Sequence, residues 1–123
     1  MKLTRNGMFL LAALVAGFLV TVSPAAAEGA AGASTFKAKC LTCHGPDGSG
    51  NTAVGKSLGV ADLRSPEIQK KSDAELTQSV SEGKGNMPAF KNMLSEDEIR
   101  AVLQYVRSLA SKAGSDPKKK QQN

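Results

Sequence analysis

The sequence has 123 residues and a formal net charge of +5, a length typical of one small domain. Residues 28–116 hold 11 basic and 11 acidic side chains, so the excess charge comes from Lys2, Arg5 and Lys118–Lys120 at the two ends. No basic stripe is interleaved with aromatic residues, which excludes the usual pattern of a nucleic-acid-binding protein. With no Trp and few other aromatic residues, such a small chain builds a limited core, and its composition favours a disulfide, a metal or a bound group as reinforcement.

The first 27 residues have the pattern of a secretory signal peptide. Lys2 and Arg5 precede an apolar run of 15 residues from Met8 to Val22, and Pro24 then breaks the chain before the small residues Ala25–Ala27. The alternative is an uncleaved membrane anchor, but the run is shorter than the ~20 residues that a spanning helix needs. We therefore predict cleavage after about Ala27 and export to an oxidising compartment, most simply the periplasm.

The segment after the predicted signal is expected to start with little regular structure and then to form a first helix. Residues 28–34 are rich in Gly and Ala, a composition that predicts little intrinsic order. Gly32, Phe36 and Cys40 recur every four residues, so they would share one face of a first helix. Residues 45–59 contain five glycines and one proline and are predicted to form a loop.

Three later helices are predicted from their start signals. Ser65 followed by Pro66 is typical of a short helix, because proline is favoured at the first helical position. Ser72–Glu75 is a capping box that opens a helix ending at Gly83. Ser95–Glu98 is a second capping box, and the helix after it carries an apolar stripe at helical spacing: Ile99, Val102, Leu103, Val106 and Leu109.

The end of the chain predicts no further folded element. Gly114 and Pro117 would end the last helix, and the basic residues that follow are predicted to form a disordered tail. No segment alternates apolar and polar residues as a strand would. The sequence therefore predicts an all-α protein with three to four helices joined by long loops.

Both cysteines and the only histidine lie within residues 40–44, CLTCH. C-x-x-C-H is the attachment signature of c-type haem. Two thiols three residues apart on one helical turn can reach the two vinyl groups at the porphyrin edge, and the adjacent imidazole then faces the iron. We predict that Cys40 and Cys43 attach one haem c and that His44 is an axial ligand. The second ring N–H of His44 then needs an acceptor to fix the ring orientation.

Three other interpretations of CLTCH explain less. A disulfide or redox dithiol leaves the adjacent histidine without a role, and the βαβ pattern of a thioredoxin-like fold is missing. A structural zinc site normally takes four Cys or His ligands, whereas the sequence offers three. A chance arrangement is disfavoured because all the Cys and His residues of the chain fall in this one motif.

The second axial ligand has to be something other than histidine. After the predicted signal the chain has two methionines, Met87 and Met93. Met87 lies in GKGNMPAF, where Gly83 and Gly85 release the chain from its helix and Pro88 biases Met87 towards an extended backbone. We predict Met87 as the ligand. Met93 can equally fill a gap in the core at a helix entrance, and iron with an open or water-bound position is the remaining alternative.

Over about residues 30–110 the chain resembles the monohaem class I bacterial cytochromes c. The resemblance rests on CLTCH, on GKGNMPAF and on EIRAVLQYVRSLA near the end. It implies a small all-α cytochrome c fold around one covalently attached haem, with the N- and C-terminal helices crossing. The small residue and the aromatic residue on the family's first helix match Gly32 and Phe36, and the apolar and Tyr positions on its last helix match Val102 and Tyr105. The expected organisation is a signal peptide at 1–27, a cytochrome c domain at 28–113 and a disordered basic tail at 114–123.

One position departs from the family pattern. Many members have a proline about a dozen residues after the ligand histidine, and its carbonyl accepts the imidazole N–H, but this chain has Lys56 there. We predict instead a backbone carbonyl between Thr52 and Leu58 as the acceptor. Candidates for the apolar wall of the haem site are Leu58, Leu63, Phe90, Met93 and Val102.

The resemblance implies a one-electron carrier and not an enzyme, because the iron changes oxidation state without bonding a substrate. A His/Met ligand pair and a buried site both favour ferrous iron. The expected partners are a redox donor and a redox acceptor that dock transiently, with the protein itself a monomer. Lysines near the site could steer an acidic partner, and the tail Lys118–Lys120 could touch anionic lipid; the former are Lys37, Lys39, Lys84 and Lys91.

Two alternatives to a free carrier stay open at this point. If Met87 is not bound to iron, the protein could bind small ligands or react with peroxide. The chain could also be the haem subunit of a larger oxidase or dehydrogenase.

Overall fold

The computed structural model describes residues 23–114, and within that range the chain forms six helices and no strand. In chain order they are α1 (Pro24–Lys39), α2 (Leu41–His44), α3 (Ala53–Leu58), α4 (Pro66–Gln69), α5 (Asp73–Glu82) and α6 (Glu96–Gly114). The all-α prediction is confirmed. The number is six and not three to four because α2 and α3, with 4 and 6 residues, are too short to show a helical period in the sequence. The short α4 was predicted, from its start at Ser65 and Pro66.

The first and last helices pack at a point of direct backbone contact. A Cβ atom placed on Gly32 would overlap the carbonyl group of Ala101, so only glycine lets α1 approach α6 this closely. One turn later Phe36 is 2% exposed, and its ring centroid lies 5.2 Å from that of Tyr105. The crossing of the terminal helices is thus confirmed, and it is surrounded by one apolar cluster: Phe36, Val102, Val106 and Leu109.

A second apolar cluster joins α5, α6 and the segment between them. Its buried members are Leu76, Val80, Phe90, Leu94, Ile99 and Leu103. The predicted stripe on α6 therefore divides between the two clusters, and α6 is the element that both share. All five predicted stripe residues are buried.

The start signals of the later helices act as predicted. Ser65 caps α4, since its hydroxyl accepts from the N–H of Ile68 at 3.4 Å. At α5 the Ser72 hydroxyl accepts from the Glu75 N–H at 3.2 Å, and the Ser72 N–H donates to the Glu75 carboxylate at 2.8 Å. The same reciprocal pair joins Ser95 and Glu98 at 3.3 and 2.8 Å. Each box satisfies two N–H groups that a helix start would otherwise leave unpaired.

Two predicted irregular segments are helical. Residues 28–34, expected to be weakly ordered, belong to α1, whose buried residues Gly32 and Phe36 lie at the crossing with α6. Residues 53–58, expected to lie in a loop, form α3, which Thr52 caps and Gly59 ends in a left-handed conformation.

The described residues cover only part of the predicted signal peptide and of the predicted tail. α1 begins at Pro24, a position where the missing N–H of proline costs no hydrogen bond. Since α1 spans Pro24–Lys39, the predicted cleavage point after Ala27 lies inside this helix. Gly114 belongs to α6 and is the last residue that the structure describes, so the predicted end of this helix stays a prediction. Residues 1–22 of the predicted signal and 115–123 of the predicted tail lie outside the described residues. Within residues 23–114 no helix combines the length and the apolar character needed to cross a membrane.

The capping boxes make stability depend on pH. The pKa of Glu75 lies below its ordinary value of 4.5, first because the Ser72 N–H donates to its carboxylate and then because the Ser72 hydroxyl does; Ser95 does the same for Glu98. A depressed folded-state pKa stabilises the protein above the unfolded pKa, and that contribution is lost as the pH falls through the folded pKa. We expect the free energy of unfolding, measured with urea, to fall as the pH is lowered below about 4.5.

The matched control is the double variant Glu75→Gln with Glu98→Gln. Glutamine keeps the box geometry but does not titrate. We expect a shallower pH slope for the double variant. Some slope remains, because the pKa of Asp47 is also lowered, mainly by the Ser49 hydroxyl. Equal slopes for the two proteins would contradict this account.

Candidate functional site

The residues predicted to hold haem lie on a single helical turn after α1. The N–H of Cys40 donates to the carbonyl of Phe36 at 2.8 Å, which links the turn to the helix crossing. The N–H groups of Cys43 and His44 both donate to the Cys40 carbonyl, at 3.3 and 3.0 Å. Both thiols are free and partly buried. The structure therefore brings the two sulfurs and the imidazole together on one rigid turn.

The protonation states of this turn suit metal and thioether chemistry. Burial, and secondarily the neighbouring Cys43, raises the pKa of Cys40 to about 11, so its thiol is neutral at pH 7. Burial also lowers the pKa of His44, which keeps the imidazole neutral with a lone pair to donate. The Nδ1 atom of His44 is buried and has no hydrogen-bond partner among the described residues. A buried, unsatisfied ring nitrogen beside two free thiols fits a haem-binding turn.

The carbonyl acceptor predicted for His44 is not seen. None of the carbonyls of residues 52–58 accepts a hydrogen bond from Nδ1 in the structure. Carbonyls of this segment are used locally: Thr52 accepts from Lys56 at 2.9 Å, Gly55 from Val60 at 2.9 Å and Lys56 from Gly59 at 3.4 Å. The acceptor for the His44 ring stays a prediction.

The start of α3 packs directly on the turn. A Cβ on Gly55 would overlap the carbonyl oxygens of Cys43 and Gly50, so this approach requires glycine. The N–H of Gly50 in turn donates to the carbonyl of His44 at 2.8 Å. Gly55 was not singled out from the sequence, where it appeared as one of five glycines in a predicted loop.

Met87 lies on a tight loop between α5 and α6. Lys84 and Met87 exchange two backbone hydrogen bonds of 3.0 Å each, and Gly83 and Gly85 both have positive φ. A Cβ on Gly83 would come within 2.6 Å of the Met87 carbonyl oxygen. The extended, glycine-flanked loop predicted for Met87 is thus present.

The base of this loop is anchored on the second apolar cluster. The N–H of Phe90 donates to the Val80 carbonyl at 3.0 Å, and the Lys91 ammonium pairs with the Glu82 carboxylate at 2.7 Å. Met87 is partly buried and packs against the same cluster.

A side-chain contact connects the Met87 loop to the region of the CLTCH turn. The Asn86 side-chain amide donates to the Leu58 carbonyl, at the end of α3, at 3.5 Å. Because α3 begins against Cys43 and ends near Asn86, it lies between the two predicted ligand segments. The structure thus joins the two motifs through α3.

The predicted wall residues divide into two groups. Phe90 and Val102 are buried, and Leu63 packs with Cys40 against the cluster around Phe36. Leu58 is 41% exposed and Met93 is 53% exposed. Met93 is therefore not a core filler, contrary to the alternative considered for it, and a wall role for it and Leu58 stays a prediction.

Comparison with known proteins identifies the family. The family model for cytochrome c oxidase, cbb3-type, subunit III matches residues 27–106. Cytochrome c6 from Leptolyngbya boryana is 38% identical over 89 residues, covering 70% of this chain and 98% of that protein. Cytochrome c6 from Rippkaea orientalis is 39% identical over 95 residues, or 76% and 83% of the two chains.

The chain belongs to the class I c-type cytochromes. A solved structure, the KustC0563 c-type cytochrome, superposes on this cytochrome with a TM-score of 0.59 at 34% identity, over 63% of this chain and 95% of the other. The cytochrome carries one covalently bound haem c and is an electron carrier, not an enzyme. Among residues 23–114 no group of three or more His, Cys, Asp or Glu side chains could hold a further metal ion.

Proposed function

We propose that this cytochrome shuttles single electrons between redox proteins outside the cytoplasm, using His44 and Met87 as the axial ligands of its haem iron. The observation that supports this most directly is the CLTCH turn, where two free thiols share one helical turn with a neutral, partly buried imidazole. The haem supplies reversible one-electron chemistry when it is bound. The chain supplies its attachment, orientation and shielding from water.

The attachment falls to Cys40 and Cys43, whose sulfurs would each form a thioether. Cys40 lies against the apolar cluster around Phe36, so the attached edge would be held next to the crossing of α1 and α6. His44 would offer the iron a neutral nitrogen lone pair, and its main chain is held by the hydrogen bond from its backbone N–H to the Cys40 carbonyl. A ligand held on a one-turn scaffold needs little rearrangement between oxidation states.

The Met87 loop would supply the second ligand. A thioether is a weak, soft donor that favours ferrous iron and so raises the potential. Gly83 permits the tight approach of the loop backbone, and the Lys84–Met87 pair of hydrogen bonds holds the Met87 main chain in place. This anchoring is what a weak ligand requires, because the bond alone would not hold a mobile loop.

Its partners would be redox proteins that dock briefly and are steered by exposed lysines. Lys37, Lys39 and Lys84 are exposed, as expected for residues that steer an acidic partner. Lys91 is exposed as well, but it pairs with Glu82, so its charge is partly offset.

We further propose that the protein acts as a monomer. Contact of Lys118–Lys120 with anionic lipid also remains a proposal, and that segment lies outside the described residues.

Export with cleavage near Ala27 completes the proposal. It rests on the apolar run and the small residues before Glu28. Cleavage there would remove the first four residues of α1, Pro24–Ala27, and would leave Gly32 and Phe36 on the remaining helix.

One experiment tests attachment, export and ligation together. The full chain is expressed with a haem-attachment system, and the exported protein is analysed by intact mass and by visible spectra in both oxidation states. We expect the mass of residues 28–123 plus one haem, sharp c-type bands, and the far-red band of a sulfur–ferric iron bond. Covalent haem without the far-red band would contradict Met87 ligation. A chain without covalent haem would contradict the whole proposal.

A second candidate function is a haem subunit of a larger oxidase. It is favoured by the match to the family of cbb3-type cytochrome c oxidase subunit III. Gel filtration of the native protein from membranes and from the exported fraction separates the two. Co-migration with an oxidase would support the subunit, and a small free species would support the diffusible carrier.

A further inference from the structure

The side chain of Thr52 bonds to the CLTCH turn from a distance in sequence. Its hydroxyl lies 2.9 Å from the carbonyl oxygen of Thr42 and 3.1 Å from that of Cys43. The same hydroxyl accepts from the N–H of Gly55 at 2.8 Å, which caps the start of α3. One oxygen atom therefore ties α2 and α3 together by donating to one element and accepting from the other.

Among residues 23–114, the two carbonyls that Thr52 reaches accept no backbone hydrogen bond. The outer carbonyls of α2 have backbone partners, since Leu41 accepts from Gly45 at 2.9 Å and His44 accepts from Gly50 at 2.8 Å. Carbonyls at a helix end that have no backbone partner otherwise accept hydrogen bonds from water or from nearby side chains. The single hydroxyl proton of Thr52 is shared between these two carbonyls, so Thr52 offers a donor to both.

The Cys43 carbonyl belongs to the peptide unit that joins Cys43 to His44. Because that unit is planar, holding its oxygen fixes the direction of the His44 N–H and limits the backbone freedom from which the imidazole extends. Gly55 makes the contact possible, since a Cβ there would overlap the same carbonyl oxygen. The ring nitrogen Nδ1 of His44 has no hydrogen-bond partner among the described residues. The orientation of the ring therefore depends more on the restraint of its backbone.

We propose that Thr52 is a positioning residue, whose hydroxyl sets the orientation of the His44 imidazole at the haem iron by restraining the peptide units on both sides of Cys43. The inference rests on the proposed role of His44 as an axial ligand. The hydrogen bonds of the Thr52 hydroxyl go to backbone groups and not to the His44 ring, so its effect would pass through the backbone. Its function depends on the donor proton of the hydroxyl, while the cap on α3 depends on the acceptor lone pair.

The test compares variants that separate these two properties. Thr52→Val removes donor and acceptor with little change of shape, and Thr52→Ser keeps both. Thr52→Asp keeps a strong helix cap but, once ionised, has no proton to donate. Ser72→Ala removes the cap of α5, a similar loss at a helix that does not touch the turn, and it serves as the control.

Two readouts are taken on each haem-loaded protein. The first is the ferric electron paramagnetic resonance and proton NMR signature, which depends on the plane of the axial imidazole. The second is amide hydrogen exchange at Gly50, whose N–H bonds to the His44 carbonyl. We expect Thr52→Val and Thr52→Asp to shift the ferric signature and to speed exchange at Gly50 by roughly five- to tenfold, the loss expected for one such hydrogen bond.

Thr52→Ser and Ser72→Ala should match the original protein in both readouts. A shift in Ser72→Ala as large as in Thr52→Val would overturn the proposal, because it would trace the effect to general stability. An unchanged signature in Thr52→Asp would also overturn it, even if Thr52→Val does not fold. Absence of His44 ligation in the original protein would instead refute the proposed ligand set, so the two failures are distinguishable.

Discussion

Met87→Ala is expected to abolish the far-red band of the ferric protein while leaving the covalent haem in place. Attachment depends on the CLTCH turn, which is separate in sequence from the Met87 loop, so the variant should still be loaded. Without the thioether the ferric state is less disfavoured, and the reduction potential should fall on the order of 0.1 V or more, within the ~0.8 V range that axial ligands span. Visible spectra and a potentiometric titration measure both effects.

The matched control is Met93→Ala. Met93 is 53% exposed, and the backbone of its segment is held by bonds from the Met93 and Leu94 N–H groups to the Phe90 carbonyl. Removing an exposed side chain changes stability by about 0.5 kcal/mol or less and should leave the far-red band and the potential unchanged. Loss of the band in Met93→Ala and its survival in Met87→Ala would reverse the ligand assignment.

The open iron position in Met87→Ala also separates the carrier from a ligand-binding protein. We expect the original protein to bind carbon monoxide or cyanide slowly and weakly, and Met87→Ala to bind them readily. Equal, rapid binding by both proteins would mean that Met87 does not occupy the iron.

The features that were predictable from the sequence are those encoded by neighbouring residues. Ser72 with Glu75 and Ser95 with Glu98 specify helix starts within four residues, and the structure contains both boxes. The stripe from Ile99 to Leu109 has a period long enough to be read, and all of it is buried. CLTCH needs only its own spacing to predict a haem-binding turn.

The features that were missed depend on contacts between distant residues. α3 has 6 residues, and its glycine-rich sequence predicts a loop unless the cap at Thr52 and the left-handed Gly59 are considered together. Residues 28–34 belong to α1, and among them Gly32 is buried against Ala101 of α6, a contact between residues distant in sequence. The contacts of Thr52 with the turn, made across nine and ten residues, have no signature in sequence at all.

Gly32→Ala is expected to be the most destabilising of the single-methyl additions to α1. The new Cβ would overlap the carbonyl group of Ala101, and a backbone group on a packed helix cannot rotate away as a flexible side chain can. Overpacking of a core typically costs about 1–3 kcal/mol, and we expect the upper end of that range or more here. For a domain of this size that corresponds to a fall in Tm of roughly 10–20 °C, measurable by circular dichroism.

Gly29→Ala provides the control on the same helix. Nothing lies within 4 Å of a Cβ at Gly29, and alanine favours a helix over glycine by up to about 1 kcal/mol, so its Tm should stay level or rise. If Gly32→Ala is no less stable than Gly29→Ala, then α1 and α6 do not cross in backbone contact. The far-red band should persist in folded Gly32→Ala at low temperature, because Met87 packs on the second apolar cluster, the one that contains Leu76, and not at the helix crossing. The Gly32 variant would then lose stability without losing ligation, and the Met87 variant would lose ligation while keeping its haem. This is expected if the helix crossing stabilises the fold and the Met87 loop sets the reduction potential of the iron.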